Sequence, residues 1–226
     1  MLALFGATVA LAPAATDSPA PGIDASLAAA TVGGGASASG GATVLTFTGS
    51  AIANRTTVSI DSATGELVVR EATQVRSPGD PCTPAAGTVT TEFRCPPGSI
   101  GAIVGTLGGG NDRFVAARNV RVLIGAVVGG TPRPLRGGPG HDRIFGGRVG
   151  DSLFGGPGRD RLFGRRGSDL LNGGPGADRL FGGPAGDILF GGAGRDRHNG
   201  GPGRDLCGGG GGRDRQRSCF ATRGIP

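Results

Sequence analysis

Residues 137–217 repeat a nine-position pattern in which six turn-forming positions precede three strand-forming positions. The first six positions are rich in glycine, often with proline third, and these residues favour turns. The eighth position carries an apolar residue in most units: Ile144, Leu153, Leu162, Leu171, Leu180 and Leu189. One apolar residue between two outward neighbours is typical of a short strand with one buried face.

Nine such units follow one another without a gap, which predicts a solenoid of stacked turns. Each unit reverses the chain once, so two units close a coil of about 18 residues, and unit n stacks on unit n+2 roughly 4.8 Å away. We therefore predict an all-β protein, a right-handed parallel β-roll whose position-8 side chains form a thin core between two parallel sheets.

An irregular β region precedes the repeats. Runs rich in β-branched residues between turn signals predict short strands and little helix at 43–48, 56–60, 66–70, 88–93, 99–106 and 120–128. Residues 107–115 form a degenerate unit with Asp112 in register. We expect residues 42–136 to extend the same solenoid, with a separate small sandwich as the alternative, and residues 218–226 to form a C-terminal tail.

The sixth position of every unit is aspartate: Asp142, Asp151, Asp160, Asp169, Asp178, Asp187, Asp196, Asp205 and Asp214. Stacking of alternate units predicts two rows of carboxylates, one along each edge of the roll. Like charges about 5 Å apart repel by roughly 3 kcal/mol per neighbouring pair at an effective dielectric near 20. A hard divalent cation, coordinated by carboxylates and turn carbonyls, would offset this repulsion.

The unit GGPGHDRIF and its neighbours resemble the RTX, or hemolysin-type, calcium-binding nonapeptide repeat, and residues 107–115 resemble the leading turn of such rolls. The resemblance implies a calcium-binding turn in the first six positions, a strand in the last three, and up to about seven internal sites. It implies Ca²⁺ ligands at the nine aspartates and at Asp112, Gly137, Gly138, Gly140, Gly155, Gly156, Gly158, Gly173, Gly174 and Gly176.

Several units depart from this pattern. Val149 and Ala185 take the fourth position, with the glycine displaced by one, so we expect distorted second and sixth turns. His198 and Gln216 stand where an apolar residue belongs, and Cys207 is small, which predicts a looser roll after about residue 190.

Phenylalanine recurs at the ninth position, and Phe145, Phe163 and Phe181 fall on one sheet. We expect these three rings to form a ladder on its outer face. The simpler interpretation is a stabilising surface stack, and the alternative is a binding surface.

The charge balance complicates the calcium interpretation. All 23 basic residues are arginine, the net charge is +6, and residues 137–217 hold 13 arginines against 9 aspartates. Arginine could pair with the aspartates and compete with the ion. However, side chains alternate faces in a strand, so we expect the position-7 arginines to point outward. Since arginine alternates with aspartate along the sequence, no continuous basic stripe is predicted.

The N-terminus and the cysteines indicate export. Residues 1–15 resemble the end of a secretory signal peptide, with a run too short for a membrane span, and residues 16–41 have linker composition. Cys82 with Cys95 and Cys207 with Cys219 form two locally spaced pairs, which predicts two disulfides in a secreted, extracellular protein. The alternatives are an ordinary apolar N-terminus and four free thiols.

Residues for familiar catalytic chemistry are sparse. The chain has two histidines, no lysine and no G-x-S-x-G elbow, and His141 takes a variable turn position. We therefore predict a secreted, non-enzymatic calcium-binding repeat protein, with calcium ions as the partner and no specific nucleic acid. The alternatives are a calcium-independent solenoid held by Arg–Asp pairs and disulfides, and an arginine-rich binder of anionic polymers at the cell surface or outside the cell.

Overall fold

A computed structural model describes residues 43–49, 51–71, 82–84, 92–128 and 131–221 of the 226-residue chain. Those residues contain strands and turns and no helix, so no described segment is an apolar helix long enough to cross a membrane. The predicted signal peptide (1–15) and linker (16–41) lie outside the described residues, as does most of the strand predicted at 88–93.

The strands are short, and most of those in the repeats coincide with positions 7 to 9 of a unit. Their bounds are β1 (Thr43–Thr48), β2 (Arg55–Ile60), β3 (Leu67–Glu71), β4 (Thr83–Pro84), β5 (Glu92–Cys95), β6 (Ile100–Thr106), β7 (Arg113–Ala116), β8 (Leu123–Ile124), β9 (Ala126–Val128), β10 (Thr131–Arg133), β11 (Leu135–Arg136), β12 (Arg143–Phe145), β13 (Ser152–Phe154), β14 (Arg161–Phe163), β15 (Leu170–Gly176), β16 (Arg179–Phe181), β17 (Ile188–Gly194), β18 (Arg197–Asn199), β19 (Leu206–Gly211), β20 (Arg215–Arg217) and β21 (Phe220–Ala221).

Strands of the repeats alternate between two sheets. The first sheet has the order β1-β6-β11-β13-β15-β17-β19-β21, with β8 beside β6, and the second has the order β20-β18-β16-β14-β12-β7-β2-β3-β5-β4. Within the repeats every pairing is parallel, and the register joins Arg143 to Arg161 and Ser152 to Leu170. From β12 to β20, paired repeat residues therefore lie 18 positions apart, which confirms the β-roll and the stacking of unit n on unit n+2.

The region upstream of the repeats continues these two sheets. Strands β1 and β6 lead into the first sheet through β11, and β2 and β7 lead into the second through β12. These upstream strands therefore do not form a separate sandwich. Strands β3, β5 and β4 break the pattern, because they add to the end of the second sheet in antiparallel pairings.

The core is one continuous layer between the sheets. The position-8 residues Ile144, Leu153, Leu162, Leu171, Leu180 and Leu189 are all fully buried, as predicted. Burial of each such side chain contributes roughly 1.5–3 kcal/mol. Upstream, where the coil is larger, Phe47 and Phe114 fill the same layer with an edge-to-face contact of 6.0 Å between ring centroids.

The prediction that the roll loosens after about residue 190 is wrong for His198 and Cys207, although the last repeat strand, which holds Gln216, is exposed. His198 and Cys207 are 2% and 1% exposed, and parallel pairing continues to β21. Both predicted disulfides form, and the bond from Cys207 to Cys219 joins the last coil to the core layer. Of the repeat strands, only β20 is exposed along its whole length, and it is the end strand of the second sheet.

The two turns with a displaced glycine behave differently. Ala185 adopts a φ of 96°, so the sixth turn keeps its path at the cost of strain in a non-glycine residue. In the second turn Gly147 is not in the left-handed region, whereas the glycines at this position in neighbouring turns, such as Gly138 and Gly156, have φ values of 107° and 111°. The expected distortion of the second turn is therefore confirmed.

Candidate metal site along two rows of aspartates

The aspartates form two in-register rows. Each one directly precedes a strand of the roll, so the coil length places Asp142, Asp160, Asp178, Asp196 and Asp214 in one row and Asp151, Asp169, Asp187 and Asp205 in the other. The first row continues upstream to Asp112. The side chains point into the roll and not along its exposed edges, since all of them except Asp214 are 1% exposed or less.

One oxygen of each carboxylate has a fixed partner. The backbone N–H of each repeat aspartate except Asp205 and Asp214 donates to Oδ1 of the aspartate one coil later in the same row, at N···O distances between 2.7 and 2.9 Å. This chain of hydrogen bonds links every coil to the next and explains why a carboxylate or amide is required at this position.

The second oxygen has no such partner in most coils. The buried Oδ2 atoms without a hydrogen bond belong to Asp112, Asp142, Asp160, Asp169, Asp178, Asp187, Asp196 and Asp205. The exception is Asp151 in the distorted second turn, whose Oδ2 accepts a 2.7 Å hydrogen bond from the Gly147 N–H. An unpaired buried oxygen costs roughly 1–3 kcal/mol, and more if it is charged. An unpaired carboxylate oxygen that recurs in successive coils indicates a site for a positively charged partner.

The first glycine of each unit makes room for that oxygen. A Cβ added at Gly137 would lie 2.1 Å from Asp142 Oδ2 and 2.6 Å from the carbonyl oxygen of Gly155. The same arrangement recurs at Gly155, where the distances to Asp160 Oδ2 and the Gly173 carbonyl are 2.3 and 2.6 Å. Carboxylate and carbonyl oxygens therefore face one small space, which any side chain at the glycine would fill.

The second and fourth positions stack their backbones from coil to coil. A Cβ at Gly176 would lie 1.5 Å from the Gly158 carbonyl oxygen and 3.1 Å from Asp178 Oδ1. The same close approach joins Gly158 to Gly140 at 1.5 Å, and Gly174 to the Gly156 carbonyl at 2.7 Å. Glycine is favoured here because the carbonyls of one turn lie against the α-carbons of the next. The remaining sequence-predicted glycine, Gly138, stacks in the same way on the turn before it.

Burial makes these carboxylic acids weak. Loss of hydration raises the pKa of Asp142, Asp151, Asp178 and Asp187 to about 7, of Asp160 to about 8 and of Asp169 to about 10. The pKa values of Asp112 and Asp196 are also raised by burial. Backbone hydrogen bonds oppose the shifts, and neighbouring carboxylates in the row add to most of them. Without a cation, protons therefore remain on part of each row at neutral pH.

Arginine does not neutralise the rows. Within the described residues the ion pairs are Arg70–Glu92 and those of Arg94 with Asp61, Glu66 and Glu92, and none involves a repeat aspartate. The position-7 arginines lie on the outside of the roll, as predicted, so they point away from the buried carboxylates. The alternative of a solenoid held by Arg–Asp pairs therefore has no support among these contacts.

Two groups at the upstream end of the rows were not predicted. The Asn54 backbone N–H donates to Asp112 Oδ1 at 2.6 Å, and its side-chain amide donates to the same oxygen at 3.0 Å and to the Leu107 carbonyl at 2.6 Å. At the upstream end of the other row, the Ile124 N–H donates to Asp151 Oδ1 at 2.9 Å. The sequence offered a signal for Asn54, because Asn54 directly precedes Arg55, the first residue of β2, as Asp142 directly precedes Arg143, the first residue of β12. Ile124 acts only through its backbone and left no signal.

The donor set suits a hard cation. No group of three or more His, Cys, Asp or Glu side chains converges within the described part of the chain, so a bound ion would draw mainly on backbone carbonyls and one or two carboxylates. Oxygen-only ligands in strained turns are what Ca²⁺ prefers. The unpaired Oδ2 atoms and the glycine carbonyls supply such ligands in successive coils.

Comparison with known families agrees with this geometry. The family model described as RTX calcium-binding nonapeptide repeat (4 copies) matches residues 135–153, 150–180 and 181–215. These matches span the whole of both aspartate rows apart from Asp112. No curated protein and no solved structure matches the chain at a significant level.

Proposed function

We propose that this chain, whose residues 135–215 match the model of the RTX calcium-binding nonapeptide repeat, is a secreted, non-enzymatic protein whose roll is ordered by calcium held between stacked turns. The ligands would be the row aspartates with the carbonyls of the glycine-rich turns, among them those of Gly155 and Gly173. Bound calcium supplies the positive charge that the buried carboxylates otherwise lack.

The unpaired Oδ2 atoms carry this proposal. Each coil buries a carboxylate that has one satisfied oxygen and one orphan, and no arginine of the described residues pairs with it. In the metal-free protein neighbouring carboxylates within each row disfavour one another's charge and the rows retain protons, which weakens the roll. A cation that binds the folded state alone stabilises it by RT ln(1 + [L]/Kd), so ion binding and folding are coupled.

Export is supported by the cysteines. Both pairs are joined as disulfides, Cys82 to Cys95 and Cys207 to Cys219, and no described cysteine is free. Such bonds persist in oxidising compartments outside the cytosol. The structural role of the aspartates and glycines also accounts for the residues that define the repeat, which leaves no need for a catalytic role at these positions.

Circular dichroism and thermal unfolding of the full chain in EDTA, in calcium and in magnesium test the proposal. We expect calcium to increase the β signal and the Tm, and we expect magnesium at the same concentration to do much less, because it demands octahedral geometry. Isothermal titration should show calcium heats that disappear after chelation. Equal β content and equal Tm in EDTA and calcium would refute calcium-ordered folding.

A further inference from the structure

The outer face of the second sheet carries a continuous ladder of arginines. The parallel register places seven of them one above another: Arg55, Arg113, Arg143, Arg161, Arg179, Arg197 and Arg215. The expectation that no basic stripe forms is therefore wrong. Arginine and aspartate alternate in sequence, but the aspartate turns inward and the next residue points outward, so alternation along the chain becomes separation in space.

This face has almost no acidic counterpart. The only acidic residues in 137–217 are the nine repeat aspartates, and all of them except Asp214 are buried. Among the described residues no ladder arginine takes part in an ion pair. Guanidinium groups about 5 Å apart repel by roughly 0.8 kcal/mol per pair even in water. A ligand with repeating negative charges would relieve that repulsion.

A phenylalanine stack runs beside the arginines on the same face. Phe145, Phe163 and Phe181 lie parallel with centroid separations of 4.5 and 4.8 Å, which confirms the predicted ladder. The guanidinium groups of Arg113 and Arg165 each lie 5.3 Å from the Phe145 ring centroid. The faces of Phe145 and Phe163 are thus occupied by other rings and by arginine, one face of Phe181 is covered by Phe163, and the ring edges form a narrow apolar strip.

Two shallow grooves meet at Phe181 along this strip, with volumes of about 400 and 390 Å³. The first is lined by Phe163, Phe181 and four arginines, Arg118, Arg148, Arg165 and Arg166. The second is lined by Phe181, by His198, Asn199 and Gln216, and by four more arginines, Arg179, Arg197, Arg215 and Arg217. Neither groove is lined by a carboxylate, and together they form a basic path along the roll.

We propose that this basic face, made of the arginine ladder, the phenylalanine stack and the two grooves, binds an extended anionic polysaccharide. The guanidinium fork matches carboxylate and sulfate groups in bidentate geometry. From Arg113 to Arg215 the ladder spans five strand spacings, roughly 24 Å in a straight line. A straight row of charges suits an extended chain whose anionic groups repeat along its length.

The occupied ring faces argue against a nucleic acid. Proteins that bind single strands without sequence preference use free aromatic faces on which bases stack, and here the rings stack on one another. The phosphates of a duplex follow a helical path, so only a few of them could contact a straight row of arginines before the two paths diverge. An anionic polysaccharide needs only the charges and the apolar strip, and both are present.

The test uses the full chain and two triple variants of equal charge. Arg161→Gln/Arg179→Gln/Arg197→Gln removes the centre of the ladder, and Arg159→Gln/Arg195→Gln/Arg213→Gln removes three exposed arginines from the turns. Titration with heparin oligosaccharides in calcium, with neutral dextran as the blank, should show binding by the wild type and the turn variant. We expect the ladder variant to bind at least tenfold more weakly.

An equal loss in both variants would overturn the proposal, because net charge alone would then explain binding. Unchanged affinity in the ladder variant would overturn it as well. A DNA duplex or single strand that displaces heparin at lower concentration would assign the face to nucleic acid instead. Circular dichroism of each variant with and without calcium monitors folding, so failure of the calcium-ordering proposal is seen separately.

Discussion

Replacement of Asp160 by asparagine should raise stability without calcium and reduce the stability that calcium adds. Asp160 lies in the middle of its row, is 1% exposed, and accepts the Asp142 N–H at 2.8 Å through Oδ1, while its Oδ2 has no partner. Asparagine keeps the acceptor in place and removes the charge. The substitution therefore separates the structural hydrogen bond from the function of the second oxygen.

The magnitude follows from the cost of burying the acid. Burial raises the pKa of Asp160 from 3.8 to about 8. At 1.36 kcal/mol per unit, keeping this group in the folded metal-free protein near pH 7.5 costs about 5 kcal/mol as an upper limit. The asparagine amide instead leaves unpaired N–H donors, at roughly 1–3 kcal/mol. The metal-free variant should therefore be more stable by about 2–4 kcal/mol.

In calcium the variant should lose most or all of this advantage. A site filled at 100 times its Kd stabilises the fold by about 2.7 kcal/mol, and this gain disappears for each site that needs the Asp160 carboxylate. The assay is urea unfolding followed by far-ultraviolet circular dichroism, in EDTA and in calcium, with the disulfides intact. Circular dichroism is the suitable probe because the chain has no tryptophan and no tyrosine.

Asp214→Asn is the matched control. Asp214 has the same position in its unit and accepts the Asp196 N–H at 2.9 Å, but it lies in the last coil and is not fully buried. We expect a smaller change of the same kind. If Asp160→Asn lowers stability by the same amount in EDTA and in calcium, the carboxylate is only a hydrogen-bond acceptor, and the reasoning about its second oxygen fails.

Three further outcomes are expected. Burial raises the aspartate pKa values to about 7–10, so the folded metal-free protein holds protons that the unfolded chain releases near pH 4. The Tm in EDTA should therefore fall from pH 5 to pH 9 while calcium affinity rises. A Tm in EDTA that rises over this range would contradict this prediction. His198→Leu should raise stability by roughly 1–3 kcal/mol in urea unfolding, because both ring nitrogens are buried without partners in the column of Leu180, whereas a loss would indicate a hidden partner. Cys207→Ala/Cys219→Ala should cost about 3 kcal/mol and speed hydrogen exchange in the last coil alone, and exchange that rises throughout the roll would show a wider role.

Periodicity accounts for most of the fold that could be predicted. A strict nine-residue repeat sets the coil length, and the coil length sets which residues stack, so the two aspartate rows, the leucine core and the Phe145–Phe163–Phe181 stack follow from the sequence. The glycines were predictable for the same reason, since turns that stack backbone on backbone leave no space for a Cβ. The cysteine pairs followed from their spacing and from the signs of export.

The end of the roll shows where local rules failed. His198 and Cys207 lack the size or polarity of leucine, and by composition they predict a frayed coil. Cys207 is instead held in the core layer by its bond to Cys219, and His198 is buried because the coils on both sides continue to pair. Backbone pairing between coils therefore outweighs the preference of a single side chain.

The sequence alone determined that the chain coils, how many residues make a coil and which residues share a row, because these depend on spacing along the chain. Only the tertiary structure decided that the aspartates turn inward with one oxygen unpaired, that Asn54 and Ile124 close the rows, and that the arginines meet in a ladder. These features depend on which side of the backbone each residue takes and on neighbours 18 or more positions away. Such contacts exist only once the coils have closed and stacked.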